Sequence, residues 1–245
     1  MPIVADSLYK TYNRRTVVTG ASLTVDRGEV VAILGPNGAG KTTTFYMIVG
    51  LVKPDTGSVY LDGRDITKLP MYLRARAGIG YLAQEPSVFR KLTVEENILL
   101  ILEAAGMRRS QRRARLEELL REFGIEGLRK TPGIRVSGGE ARRVEVARAL
   151  AISPSYLLLD EPFLGIDPIT IADMQDMIRS LRDEKRMGIV ISDHNVRDTL
   201  AISDRAYIMH EGVIKVSGPS DEVAKSPEAR EFYLGDRFDV EGLTC

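Results

Sequence analysis

Gly35-Pro36-Asn37-Gly38-Ala39-Gly40-Lys41-Thr42 is the most informative stretch of this chain. It follows the apolar run 30–34 and precedes a segment compatible with a helix, which is the strand, glycine loop and helix order of a phosphate-binding loop. Glycines allow the backbone to turn its N–H groups onto phosphate oxygens, and the helix start adds free donors. We expect Lys41 to reach the β- and γ-phosphates and the Thr42 hydroxyl to bind Mg²⁺. An ordinary glycine-rich turn is the alternative.

The composition is that of a globular chain without a charge bias. It has 245 residues, 44% of them hydrophobic, and Lys+Arg and Asp+Glu each number 34. A net charge of zero argues against a nucleic-acid surface, which needs clustered positive charge. One basic cluster exists at 108–115, and the acids that follow it at helical spacing predict a solvated helix with i,i+4 ion pairs.

Cysteine content and hydropathy indicate the cellular compartment. Cys245 is the one cysteine, so no internal disulfide is possible, which fits a reducing cytosol. The chain shows no signal-peptide pattern and no run of about 18 apolar residues. We therefore expect a cytoplasmic protein that reaches a membrane only through a partner.

Strand and helix patterns alternate along the chain. Residues 2–34 read as antiparallel strands that lead into a buried strand, and 90–153 read as helices. Helices are predicted over Thr43–Leu51, after the phosphate loop, and over Ala141–Ile152. The runs Tyr156–Leu159 and 188–191 are continuous and apolar, as in a sheet covered on both faces. We predict one α/β domain over 1–245. It has a mainly parallel P-loop core (1–89 and 154–235), an N-terminal antiparallel β subdomain, an inserted helical lobe (90–153) and a tail (236–245).

Two acids end the buried strand 156–159. A parallel strand delivers Asp160 and Glu161 to its carboxyl edge, the edge that also carries the phosphate loop. Asp160 is predicted to share Mg²⁺ with Thr42, and Glu161 to orient or deprotonate a water. If the phosphate loop were absent, we would interpret Asp160 and Glu161 as two acids that start a turn.

A second helix start lies at Ser137-Gly138-Gly139-Glu140. Ser137 and Glu140 form a capping-box pattern, and the two glycines leave the helix N-terminus open to a phosphate. Local physics is equally satisfied by an ordinary capped helix, so the motif gains meaning only in combination with the others.

The order of the motifs resembles the nucleotide-binding subunits of ABC transporters over essentially the whole chain. The order is the phosphate loop, Gln84, 137–140, Asp160-Glu161-Pro162, Gly165-Ile166-Asp167 and His194. The sequence departs from the commonest family form at Val136, Glu140 and Gly165, where Leu, Gln and Ala are more usual.

The resemblance assigns roles that spacing alone does not. It implies a Tyr12 ring stacked on adenine, a Gln84 that touches Mg²⁺ or the attacking water, and a catalytic Glu161. It further implies that His194 contacts the γ-phosphate and that Asp167 lies at a dimer interface. ATP then lies between two copies, with Thr43 and the rest of the loop on one side and 137–140 of the second copy on the other. Without the resemblance, His194 is a structural histidine.

A narrower resemblance is to the ATPases of lipopolysaccharide exporters. It rests on 41–47, 74–82, 87–94, 160–163, 192–196 and 233–235. It implies a homodimer on the inner membrane under two transmembrane subunits, which contact a groove near Gln84, Phe89 and Arg90. A core Phe89 beside a surface Arg90 is the alternative for that pair.

Two other functions stay open from the sequence. One is the ATPase of a branched-chain amino-acid importer, and the other is a soluble ABC ATPase acting on ribosomes or DNA. The apolar residues of 231–245 predict a docked C-terminal segment, on its own subunit or at the dimer.

Overall fold

The computed structural model describes residues 1–235 and Phe238. The chain begins with an antiparallel sheet in the order β2-β1-β4-β5. Its strands are β1 (Ile3–Tyr12), β2 (Arg15–Val25), β4 (Thr56–Leu61) and β5 (Arg64–Asp65). This confirms the predicted N-terminal β subdomain.

The second sheet has six strands in the order β10-β9-β3-β8-β7-β6. They are β3 (Val30–Leu34), β6 (Ile79–Leu82), β7 (Tyr156–Asp160), β8 (Gly188–Ser192), β9 (Arg205–His210) and β10 (Val213–Pro219). Every pair is parallel except β9–β10, a hairpin at one edge. Strands β3, β7 and β8 are buried along their whole length, as their continuous apolar runs predict.

Helices cover both faces of this sheet. They are α1 (Lys41–Val49), α2 (Met71–Ala77), α3 (Val94–Ala104), α4 (Arg109–Glu122), α5 (Gly138–Ala149), α6 (Pro168–Asp183), α7 (Val196–Leu200), α8 (Ser220–Lys225) and α9 (Pro227–Ala229). Leu157 and Leu159 face a core shared with α3, α4, α5 and α6, whereas Leu158 faces the core of α1 and the antiparallel sheet. The observed architecture is the predicted α/β fold.

Three local predictions need correction. Gly50 ends α1 in the left-handed region (φ 85°), so the helix stops at Val49 instead of Leu51. Helix α5 ends at Ala149, three residues before the predicted end. In α4, where we predicted i,i+4 pairs, Arg115 pairs with Glu118 at i,i+3 and Arg112 pairs with Glu103 of α3.

The described C-terminal residues pack on their own subunit. A π-helical turn spans Arg230–Leu234, and the Phe232 ring lies 5.5 Å from that of His210. Tyr233, Leu234 and Phe238 join the same apolar cluster beside β9 and α8. The predicted tail 236–245 lies outside the described residues except for Phe238. Among the described residues no helix has the length and apolar character needed to cross a bilayer.

Candidate active site

The glycines of the phosphate loop are required by the fold. Gly35 has φ 152° and Gly40 has φ 103°, a region that side chains rarely adopt. A Cβ on Gly35 would lie 2.0 Å from the Met209 carbonyl oxygen, and one on Gly40 would lie 2.6 Å from the Val17 carbonyl oxygen. The loop backbone therefore runs against β9 at Gly35 and against β2 at Gly40, where no side chain fits.

Lys41, the first residue of α1, lies inside this loop. Its Nζ donates to the carbonyls of Gly35 (2.6 Å) and Pro36 (3.0 Å), and the side chain is buried. Burial lowers the pKa of the Lys41 ammonium, and the acids Glu161 and Asp160 oppose that shift. A cavity of about 250 Å³ lies in front of the loop. Its lining residues are Arg15, Val17, Asn37, Gly38, Ala39, Gly40, Lys41, Thr42, Thr43, Glu161 and His194.

Glu161 is held between two side chains. Gln84 Nε2 donates to Glu161 Oε2 at 2.7 Å, and His194 Nε2 lies 2.7 Å from Oε1. Its backbone has φ 48°, and its N–H donates to the Ser192 carbonyl at 2.6 Å. Three residues that are far apart in sequence thus meet at one carboxylate on the wall of the cavity.

Asp160, the last residue of β7, is fully buried with incomplete hydrogen bonding. Its Oδ2 accepts from the Tyr81 hydroxyl at 3.4 Å, while Oδ1 is buried without a partner. Burial, followed by the charge of Glu161, raises the pKa of Asp160 to about 6. An unpartnered buried carboxylate oxygen suits a cation, because a cation would satisfy both its charge and its lone pairs.

The available donors suit Mg²⁺ more than a transition metal. The described residues hold no group of three or more His, Cys, Asp or Glu side chains arranged for a metal. What the sequence offers is one carboxylate (Asp160), one hydroxyl (Thr42) and one amide (Gln84), all oxygen donors. Mg²⁺ accepts such sparse protein ligation when substrate phosphates and water complete its shell.

The second glycine motif lies outside the cavity. Ser137 caps α5 through a capping box, since its N–H donates to Glu140 Oε2 at 2.7 Å and its Oγ accepts from the Glu140 N–H at 3.4 Å. Gly138 and Gly139 have no positive φ, and a Cβ on Gly138 would meet nothing within 4 Å. No residue of 137–140 lines the cavity at the phosphate loop. The predicted set is therefore brought together only in part within one chain.

Two further predicted residues lie apart from the cavity lining. Tyr12, at the end of β1, is 42% exposed with the Lys10 ammonium 5.4 Å from its ring centre, and it is not in the lining, whereas Arg15 across the hairpin is. Asp167 caps α6, accepting from the N–H groups of Ile169 (3.1 Å) and Thr170 (3.0 Å). The hydrogen bond from the Thr170 hydroxyl, followed by these backbone contacts, lowers the pKa of Asp167.

Phe89 and Arg90 lie on the surface, in the segment that joins β6 to α3. Phe89 is 43% exposed, so its alternative as a core residue is wrong. The Arg148 guanidinium lies 4.5 Å from the centre of its ring. Arg90 is exposed, and its carbonyl accepts from the Ile134 N–H at 2.9 Å.

A buried pair on α5 was missed from the sequence. Arg142 donates to the carbonyls of Ala83 (3.1 Å) and Glu161 (3.4 Å) and pairs with Glu145 (3.1 Å). Glu145 in turn accepts from the Ser87 N–H at 2.5 Å. This pair ties α5 to the backbone on both sides of Gln84. The i,i+3 spacing was visible, but its burial was not, because charged residues on a helix ordinarily face water.

Comparisons with known proteins agree with this geometry. The family described as ABC transporter matches residues 18–164. A lipopolysaccharide export system ATP-binding protein LptB from Acidithiobacillus ferridurans is 54% identical over 96% of this chain and 98% of its own length. The LptB of Escherichia coli (strain K12) is 49% identical with the same coverage.

Solved structures of similar fold were also found. The ADP conformation of an ATP-binding cassette of an ABC transporter aligns with a TM-score of 0.86 at 27% identity. The alignment covers 96% of this chain and 100% of that one. A dimeric post-hydrolysis state of a cassette bound to ADP and Pi aligns with a TM-score of 0.80 at 27% identity, covering 89% and 98%.

Proposed function

The chain belongs to the ABC transporter family of ATP-binding proteins, and we propose that it is the ATP-hydrolysing subunit of a lipopolysaccharide exporter. The observation that carries ATP hydrolysis is Glu161, held between Gln84 and His194 on the wall of the phosphate-loop cavity. Lipopolysaccharide as the transported molecule is supported by about 50% sequence identity to LptB proteins along almost their whole length.

In the proposed reaction, the loop N–H groups and Lys41 bind the phosphates of ATP. Lys41 leaves the carbonyls of Gly35 and Pro36 and supplies positive charge to the β- and γ-phosphates. Glu161 accepts a proton from the attacking water, and His194 donates a hydrogen bond toward the γ-phosphate. Gln84, already bonded to Glu161, positions that water.

Mg²⁺ is proposed to be held by Asp160, Thr42 and Gln84. When bound, Mg²⁺ would neutralise phosphate charge and help to hold the γ-phosphate for attack. The contribution of the chain is the buried carboxylate of Asp160, whose Oδ1 lacks a protein partner.

A second copy is proposed to complete the site. The N-terminus of α5 carries free donors and two glycines but lies outside the cavity of its own chain. A head-to-tail pair places Ser137, Gly138 and Gly139 of one copy on the ATP bound at Lys41 of the other, with Asp167 between them. Loss of the γ-phosphate removes those contacts, which opens the pair. Solved cassettes of similar fold include a dimer, which supports this arrangement.

Two transmembrane subunits are proposed to bind near Gln84, Phe89 and Arg90. The Phe89 ring lies against the Arg148 guanidinium but is 43% exposed, so it offers an apolar anchor to a partner. The bonds from α5 to Ala83 and Ser87 fix the backbone between this surface and Gln84. The protein is accordingly proposed to reside in the cytoplasm, peripheral to the inner membrane through these partners.

Purification from detergent-solubilised membranes of the source cells tests the proposal. The tagged chain should retain two different membrane subunits, and lipopolysaccharide in reconstituted vesicles should raise its ATPase rate. Co-purification with an importer permease that requires an amino-acid-binding protein, or with ribosomes, would contradict the cargo assignment.

Phe89→Ala tests the docking surface. It should weaken retention of the membrane subunits about tenfold or more, because truncating a central aromatic anchor typically costs about 2 kcal/mol, and about 1.4 kcal/mol is a factor of ten. Soluble ATPase activity should stay near that of the wild type. Leu51→Ala is the matched control, since Leu51 is likewise an exposed apolar residue (50%) and lies two residues beyond the end of α1. Equal loss in both variants would refute the assignment.

A further inference from the structure

Tyr81 touches the carboxylate that the site leaves incompletely bonded. It lies on β6, the edge strand beside β7, where it is paired in register with Leu158. Its hydroxyl lies 3.4 Å from Asp160 Oδ2, and the other oxygen of that carboxylate, Oδ1, is buried without a partner. The two oxygens of Asp160 are therefore in different states: one bonded to protein, one free.

The Tyr81 ring is itself held by the helix that carries the phosphate loop. Tyr46 of α1 packs edge-on against it, with ring centres 6.5 Å apart and an interplanar angle of 87°. Tyr46 lies four residues after Thr42, about one helical turn further along α1. A contact path thus runs from α1 through two tyrosines to the end of β7.

An aspartate carboxylate rotates readily about its last torsion, which is broad and roughly two-fold. The Tyr81 hydroxyl, at 3.4 Å from Oδ2, restrains this rotation and leaves Oδ1 available to a cation. Carboxylates that bind metals are commonly held in this way through their second oxygen, and losing the outer partner typically costs 10–100-fold in metal affinity.

We propose that Tyr81 is a positioning residue that orients Asp160 for the divalent cation through its hydroxyl. The inference rests on the proposed function, because it requires Asp160 to bind the metal. Tyr81 acts on the metal through Asp160 and makes no contact with the reacting atoms. The packing of its ring on Tyr46 keeps the hydroxyl in place while α1 binds the phosphates.

Tyr81→Phe tests the hydroxyl alone, since it keeps the ring. The measurement is Mn²⁺ affinity of the full chain with a non-hydrolysable ATP analogue, followed by the electron paramagnetic resonance signal of free Mn²⁺. Protein is kept in excess so that the analogue stays bound. We expect about tenfold weaker Mn²⁺ binding in Tyr81→Phe, the lower end of the range for an outer partner, with binding of the metal-free analogue unchanged.

Two comparisons keep the outcome decisive. Tyr60→Phe is the matched control, a half-buried tyrosine on β4 of the other sheet, and should bind Mn²⁺ as the wild type does. Asp160→Asn measures the metal site itself. Wild-type Mn²⁺ affinity in Tyr81→Phe together with a loss in Asp160→Asn would overturn the role of Tyr81 and leave the site standing. Unchanged affinity in both variants would overturn the proposed metal site, and with it the inference.

Tyr81→Leu separates positioning from packing. Positioning by the hydroxyl predicts equal Mn²⁺ loss in Tyr81→Phe and Tyr81→Leu, whereas a packing role predicts loss in Tyr81→Leu only. Thermal unfolding of each variant reports the packing contribution independently.

Discussion

Two helices of this chain begin with glycines, and the two beginnings differ. At α1 the glycines have positive φ, and a Cβ on Gly35 would collide with the Met209 carbonyl. At α5, Gly138 and Gly139 lie in conformations open to any residue, and a Cβ on Gly138 would meet only open space. The first helix start is enclosed by its own chain, and the second is exposed and capped by its own Ser137 and Glu140.

This difference indicates why glycine is needed at each of the two helix starts. The fold itself requires glycine at 35 and 40, because no side chain fits there. Nothing within this chain requires glycine at 138. Gly lowers helix stability relative to Ala by up to about 1 kcal/mol, so its use at 138 needs a cause outside the chain. The proposed head-to-tail pair would supply that cause, because it brings the phosphates of a second copy's ATP close to this helix start.

The largest expected effect concerns the chemistry at the phosphate loop and Glu161, which form the enclosed half of the site. Glu161→Gln should slow ATP hydrolysis by roughly 10²–10⁴-fold, because it removes the general base. ATP-stabilised dimers should persist, since the amide keeps the shape of the side chain and the exposed helix start is unchanged. Single-turnover hydrolysis and light scattering with ATP measure the two properties. Turnover equal to that of the wild type would refute the role of Glu161.

Paired glycine substitutions sharpen the comparison directly. Gly35→Ala should lower the free energy of unfolding by roughly 2–4 kcal/mol, from backbone strain and overpacking.

Gly138→Asp should leave the free energy of unfolding unchanged or slightly raised, because an acid in the first turn of a helix is favourable. It should nevertheless abolish ATP-driven association, since a carboxylate then faces phosphates. Chemical denaturation and ultracentrifugation separate these effects, and a folding defect in Gly138→Asp would break the comparison.

The smallest effect uses two helix caps of the same type. Ser137→Ala and Thr93→Ala each remove a capping box, at α5 and α3, and each should cost about 1 kcal/mol of stability. Ser137→Ala should also weaken ATP-driven dimer formation, whereas Thr93→Ala should not. Equal association in the two variants would indicate that the α5 start binds no nucleotide.

The enclosed half of the site was predictable from sequence because its signals are local. A glycine loop after an apolar strand and two acids at a strand end identify their own positions. The mainly parallel sheet followed from the alternation of strand and helix patterns, whereas the strand order came only with the structure. The predicted helix ends at Leu51 and Ile152 were two and three residues too late.

Other features escaped because they depend on tertiary contacts. The burial of Arg142 and Glu145, the Tyr81 contact with Asp160 and the placement of Arg15 in the cavity lining carry no periodic or motif signal. The convergence of Gln84 and His194 on Glu161 was available only through resemblance, since the three are separated by more than thirty residues on either side. Sequence alone left His194 as a structural histidine.

Complementation between two inactive variants tests most directly whether the site is shared between copies. Lys41→Ala removes the phosphate ligand of the enclosed half, and Gly138→Asp blocks the exposed half. Each variant alone should show no ATP-driven dimer and no ATPase activity. Mixed together, they form one intact site from the loop of the Gly138→Asp chain and the α5 start of the Lys41→Ala chain. We predict that mixing restores ATP-dependent association and measurable hydrolysis. A mixture as inactive as its components would contradict a site built from two chains.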